Sequence, residues 1–135
     1  MVLLVMVVLQ IAFAGYGAFY AAGRLDTEGS TITDKTFEDG FGLHIGFGYL
    51  VFLAGVVLLL LGLIAGVGKW RLGKHGIVAL LLFIQIQLAW AGGDVNAIGA
   101  LHPVNAFLIL GLAMSIVWDG WKARKAASAD VAPAT

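Results

Sequence analysis

"FGLHIGFGYLVFLAGVVLLLLGLIAGVG", residues 41–68, carries no charged side chain and no proline. A helix needs about 20 apolar residues to cross the hydrocarbon core of a bilayer, and this run exceeds that length. Three more runs, 2–23, 76–93 and 101–118, approach it. Across the 135 residues, 61% are hydrophobic and 12% charged, against about half and about a quarter in soluble domains. The expected fold is therefore all-α: an integral-membrane, up-down-up-down four-helix bundle. Its helices are predicted near 2–23, 36–67, 73–92 and 95–121, in one domain over 1–121. Residues 122–135 are expected to form a tail, basic at first and flexible towards "AASADVAPAT". No short-period repeat is visible.

The few charges are sorted by position. The segment 24–39 holds Arg24 and Lys35 against Asp26, Glu28, Asp34, Glu38 and Asp39, a net −3. The turn 69–75 holds Lys69, Arg71 and Lys74 with no acid, and the last stretch holds Lys122, Arg124 and Lys125. Basic segments stay on the cytoplasmic side. Both termini and the middle turn are thus expected inside a cytoplasmic membrane, with the acidic first loop outside. Residues 1–23 lack the basic n-region of a secretory signal and are too long and apolar for one, so the first helix is expected to be retained. There is no cysteine, which removes disulfides, thiolate metal sites and iron–sulfur clusters. No nucleophile–base pair, phosphate loop or nucleic-acid patch is present.

Two helix starts set the registers of two histidines. Thr36, followed by Glu38 and Asp39, reads as the N-cap of the second helix, and Asp94, after Gly92-Gly93, as that of the fourth. His44 and His102 each lie eight residues beyond those caps, about 12 Å along the axis. Both helices run inward, so the imidazoles are expected at one level in the outer half of the bilayer. Pro103 allows a helix that starts at Pro103 with His102 at its cap. A kinked continuous helix is favoured here, since the alternative leaves a short span.

Ionisable groups inside a membrane are expensive and mark functional sites by default. Two imidazoles on diagonal helices would converge on the bundle interior, where bundles house cofactors. The group most naturally held by two axial imidazoles is haem iron, so one haem is expected, bound by His44 and His102. Gly40, Gly48, Gly99 and Ala106 lie on the same helix faces and are expected to leave room for the macrocycle. Phe41, Phe47, Phe107, Tyr16 and Tyr20 would wall it, Arg24 and Lys35 would meet its propionates, and Asn105 would orient a polar group. Blander readings stand beside these. Gly42-x-x-x-Gly46 is also a helix-packing pattern, and each histidine is also a potential interhelical hydrogen-bond partner. His75 is expected at the headgroups beside Lys74. Gln10, Gln85 and Gln87 are expected to bond between helices, and Trp70, Trp90, Trp118 and Trp121 to form an interfacial belt. Zinc or copper would want a third or fourth ligand.

With "FEDGFGLHIGFG" and "LHPVNA" as anchors, the chain resembles one four-helix half of haem A synthase, whose paired histidines ligate b-type haem. "LHPVNA" also resembles small four-span membrane proteins of actinobacteria. The synthase resemblance implies axial ligation by His44 and His102. The synthase carries a glutamate three residues before its second-helix histidine and an arginine after it. Here those places hold Phe41 and Ile45, so oxidation chemistry on a second haem is not implied. The expected function is single-electron transfer in the membrane, with a redox partner or within a larger complex of redox subunits. The alternatives are a cofactor-free accessory subunit of a membrane complex and, more weakly, a haem-dependent quinone reductase using Asn105, Tyr16 or the glutamines.

Overall fold

The computed structural model describes residues 1–25 and 29–130. Asp26 and Glu28, two of the charges counted in the first loop, and the tail end 131–135 lie outside the described residues. All regular structure among the described residues is helical: α1 Val2–Gly23, α2 Asp34–Ile64, α3 Lys69–Asp94, the single turn α4 Asn96–Gly99, and α5 Leu101–Asp130. Four helices, the last combining α4 and α5, are long and apolar enough to cross a membrane, as in a multi-pass membrane protein. In hydrocarbon every backbone N–H and C=O needs an internal partner, which is why such sequences fold as helices.

The helix ends are set by local hydrogen bonds, and several depart from expectation. α2 is capped three residues before Thr36, by Thr33, whose hydroxyl accepts the Thr36 N–H at 3.2 Å. It ends in a Schellman motif: Val67 N–H reaches Gly62 O at 3.3 Å and Gly66 N–H reaches Leu63 O at 3.2 Å. Gly66 supplies the left-handed residue at φ +60. Asp94, expected to cap the fourth helix, instead closes α3, and Gly92-Gly93 lie within α3 rather than breaking it. Pro103 has no N–H to offer the Gly99 carbonyl, and α4 stops at Gly99. The result lies between the two expectations: the helix neither runs unbroken nor starts at Pro103, but restarts at Leu101. α5 then continues through Lys122, Arg124 and Lys125 to Asp130, so the first part of the expected tail is helical.

The helices form a closed ring, α1 on α2, α2 on α3, α3 on α5 and α5 back on α1, leaving α2 and α5 diagonal. The core is thin: Leu3, Val7, Val51, Val78, Leu82, Ile109 and Ala113 are buried. Large apolar side chains cover the outside, Phe19 at 82% exposure and Ile64 at 84% among them. An apolar surface this extensive is what helices suited to a membrane present. The core also repeats. A shift of 75 positions carries Leu3 and Val7 onto Val78 and Leu82, and a shift of 58 carries Val51 and Gly55 onto Ile109 and Ala113, all buried. The α1–α2 pair is thus copied by α3–α5 in the placement of its core, though hardly in residue identity. Close approaches follow the same shifts: Gly17 lies against Phe41, and Gly92 against Gly99.

The end of the molecule at the α2–α3 turn is basic and aromatic. Lys74 donates to Ser115 Oγ at 2.7 Å and Asp119 Oδ2 at 2.6 Å, tying α3 to α5. Trp118 and Trp121 stack at 5.0 Å, with Lys122 and Lys125 each 5.4 Å above one of the two rings.

Candidate functional site

α2 and α5 carry His44 and His102 to the bundle interior, where their ring centroids stand 6.1 Å apart with planes inclined at 66°. The equal offsets from the helix starts do not hold, because α2 is capped at Thr33 and α4 at Val95. The rings meet nonetheless, because α2 begins with a polar turn carrying Asp34 and Lys35 outside the apolar run, and the α4 turn folds back against α3.

Each imidazole is held by a glutamine from the neighbouring helix in a reciprocal clasp. His44 Nδ1 lies 3.0 Å from the Gln10 carbonyl, and the Gln10 side-chain amide donates back to the His44 carbonyl at 2.8 Å. His102 Nδ1 lies 3.1 Å from the Gln85 carbonyl, and the Gln85 amide donates to the His102 carbonyl at 3.0 Å. The shifts that relate the two halves of the core also carry Gln10 to Gln85 and His44 to His102. A carbonyl oxygen only accepts, so both rings carry their proton on Nδ1 and keep the Nε2 lone pair. Metal-bound histidines are oriented in this way, with the second ring nitrogen donating to a carbonyl.

The separation fits that chemistry. Were both Nε2 atoms turned to one ion, metal–imidazole bonds of about 2 Å plus ring radii of about 1.1 Å would place the centroids about 6 Å apart. The donor number also discriminates. Among the described residues no three His, Cys, Asp or Glu side chains gather as a metal cluster, so a bare zinc ion lacks its tetrahedral set. Two imidazoles suit an ion that brings its equatorial ligands with it, as haem iron does.

The other expected cofactor residues do different work in the structure. A Cβ on Gly40 would meet Tyr20 and the Gly17 carbonyl, at 3.1 and 3.2 Å. A Cβ on Gly48 would meet the Gln10 amide at 2.9 Å, and one on Gly99 would meet Gly92 Cα at 3.2 Å. Their missing side chains make room for helix packing rather than for a macrocycle. Ala106, partly buried, stands where the repeat places Gly48. Asn105 faces no open pocket: it is 6% exposed and donates to the Leu81 carbonyl at 2.9 Å and to Gln85 Oε1 at 2.6 Å. Arg24 is exposed and bonded to the Tyr20 hydroxyl at 2.6 Å, while Lys35 pairs with Asp39. Phe41 stands edge-on to His44 at 6.4 Å, Phe47 packs edge-on to Phe13, and Phe107 and Tyr16 are exposed.

Two participants escaped the sequence reading. Gln10 and Gln85 were legible as interhelical polar groups but not as partners of the histidines; superposing "GLH" at 42–44 on "ALH" at 100–102 would have exposed the repeat. His75, expected at the headgroups, is buried at 8% exposure against Gly62, because that glycine leaves room for its ring. No protein-family profile, curated protein or solved structure matches the chain.

Proposed function

We propose that the chain is a membrane cytochrome b-like protein that holds one haem b between His44 and His102 and passes single electrons. The observation that carries this reading is the imidazole pair itself. The two rings stand 6.1 Å apart on diagonal helices, each with Nδ1 turned to a main-chain carbonyl. Bound there, the group would supply a one-electron couple. The chain's residues supply the rest. His44 and His102 each offer Nε2, and the carbonyls of Gln10 and Gln85 fix the ring planes and make the ligands more basic. Burial among apolar helices keeps water away, and two protein ligands favour electron transfer over binding at an open position.

In this reading the helices run up-down-up-down through the cytoplasmic membrane, with both termini and the Lys74–Trp118–Trp121 end cytoplasmic, as basic segments prefer. The imidazole pair then lies in the outer half. One centre there cannot connect the two faces, so a redox partner or larger membrane complex is implied.

The test is an absorption spectrum of the purified chain, expressed with ample haem, before and after dithionite. Split reduced α and β bands are expected, and a His44→Ala, His102→Ala double variant should lose them. A folded, colourless wild-type protein would refute the assignment.

A cofactor-free accessory subunit is the second reading, and one observation favours it. Gly40, Gly48 and Gly99 are used up in packing, and both clasps already join helices without any ligand. It expects assembly of the larger complex to survive replacement of both histidines.

A further inference from the structure

We propose that the open seam between α1 and α5 binds one anionic phospholipid, its acyl chain laid along the seam and its phosphate held by Arg124 with Lys122 and Lys125. This rests on the reading of the chain as membrane-spanning, and on no group held by His44 and His102.

The seam is where the repeat is left open. The shifts that relate the two halves exchange the α2–α3 seam with the α5–α1 seam, yet α1 and α5 meet least closely of the four pairs in the ring. At the α2–α3 seam the His75 ring fills the hollow of Gly62. The 58-position shift carries Gly62 onto Gly120, where an added Cβ would meet nothing within 4 Å. Between α1 and α5 runs a groove of about 350 Å³, open on its outer side. It is lined by Leu4 of α1 and by Met114, Val117, Trp118, Trp121 and Arg124 of α5.

The shape and chemistry of the groove match a lipid. Its α5 residues recur at three- and four-residue spacing and so form one stripe along the helix. From Met114 to Arg124 is a rise of about 15 Å, half of a hydrocarbon core about 30 Å thick. The stripe is as deep as one leaflet. Its deep part is apolar and its outer end cationic: Arg124 lines the groove, and Lys122 and Lys125 each stand 5.4 Å from one of the indoles that wall it. Both indoles are about half exposed, as aromatic rings at a membrane interface are. Within 66–76 and 114–128 six cations stand against one acid, Asp119, and Lys74 already holds that carboxylate at 2.6 Å. The charge around the groove is therefore positive, and the planar fork of Arg124 suits a phosphate. Basic pockets between transmembrane helices take phospholipid headgroups in this way. A free phosphate would use the cations and leave the apolar stripe idle.

The experiment places the full chain in phosphatidylcholine vesicles, with Trp70→Phe and Trp90→Phe, both exposed positions, so that Trp118 and Trp121 alone fluoresce. A minor fraction of the lipid is replaced by phosphatidylglycerol or by phosphatidylcholine, brominated on the acyl chains in either case, and quenching by bromine is compared. A preference of about tenfold or more for the anionic lipid is expected, since each nearby cation contributes a factor of about five. Arg124→Gln should lower that preference about fivefold, and adding Lys122→Gln and Lys125→Gln should remove it. Lys69→Gln, at the start of α3 and outside the groove lining, should leave it unchanged. Equal quenching by the two lipids overturns the inference and leaves the seam to neutral lipid or a second copy of the chain. Equal losses from Lys69→Gln and Arg124→Gln overturn it too, by showing only a diffuse attraction of the basic end. So does relief of quenching by soluble glycerol phosphate, which would mark a phosphate site without a chain. A protein that does not insert into the vesicles overturns the membrane reading as well, while its colour bears on neither.

Discussion

Gly62 and His75 show how one missing side chain sets the place of another. The imidazole lies against the α2 backbone, and a Cβ on Gly62 would sit 2.5 Å from His75 Nδ1. Gly62→Ala should lower stability by about 1–3 kcal/mol, as overpacking does. Adding His75→Ala should recover most of that loss, a coupling readable in a double-mutant cycle from denaturant unfolding in detergent. Asn105 is the complementary case. Asn105→Leu keeps the volume but removes both donated hydrogen bonds, leaving Gln85 Oε1 buried without a donor. A loss of about 1–3 kcal/mol is expected from the same measurement.

The junction of α3, α4 and α5 is decided by backbone contact rather than by side chains. Gly92 and Gly99 approach so closely that a Cβ on Gly92 would lie 2.6 Å from Gly99 Cα. No flexible side chain stands in between to give way, so Gly92→Ala must push the α4 turn outward and carry the start of α5, with His102, along with it. About 2 kcal/mol of stability should be lost, within the usual range for forced insertion, and in the cytochrome reading the reduced α and β bands should weaken. The neighbouring Gly93 has open space where a Cβ would stand. Gly93→Ala should therefore be neutral or stabilise the helix by about 0.5–1 kcal/mol. Equal damage from both substitutions would show that the close Gly92–Gly99 contact is not what sets this junction apart.

On the scale of the whole molecule, the core and the histidine clasps divide into two related pairs joined at the 65–68 turn. Each pair brings its own glutamine, histidine and buried aliphatics, while the 6.1 Å approach of the imidazoles needs both. Residues 1–65 and 68–135, co-expressed as separate chains, should reassemble in the membrane and co-purify. In the cytochrome reading only the reassembled complex should be coloured. Halves that fail to find one another would show that the covalent turn, not the packing between pairs, holds the bundle together.

The number and span of the helices were legible in the residues because lipid offers the backbone no hydrogen bonds: a charge-free run of sufficient length has to be a helix wherever it sits. The presence of His44 and His102 on two such runs, and their convergence on the interior, was legible for the same reason, since imidazoles are unwelcome in hydrocarbon. Helix ends were read less well, at Thr33, Asp94 and Ala100, because a cap depends on which hydroxyl or carbonyl happens to be in reach. What only the tertiary structure decided were the partners: Gln10 and Gln85 on the imidazoles, Asn105 on Gln85, His75 in the hollow of Gly62, and glycines filled by neighbouring helices rather than left open. Those pairings depend on the rotation of each helix about its own axis. Where nearly every face is apolar, periodicity does not reveal that rotation, and close packing between helices sets it.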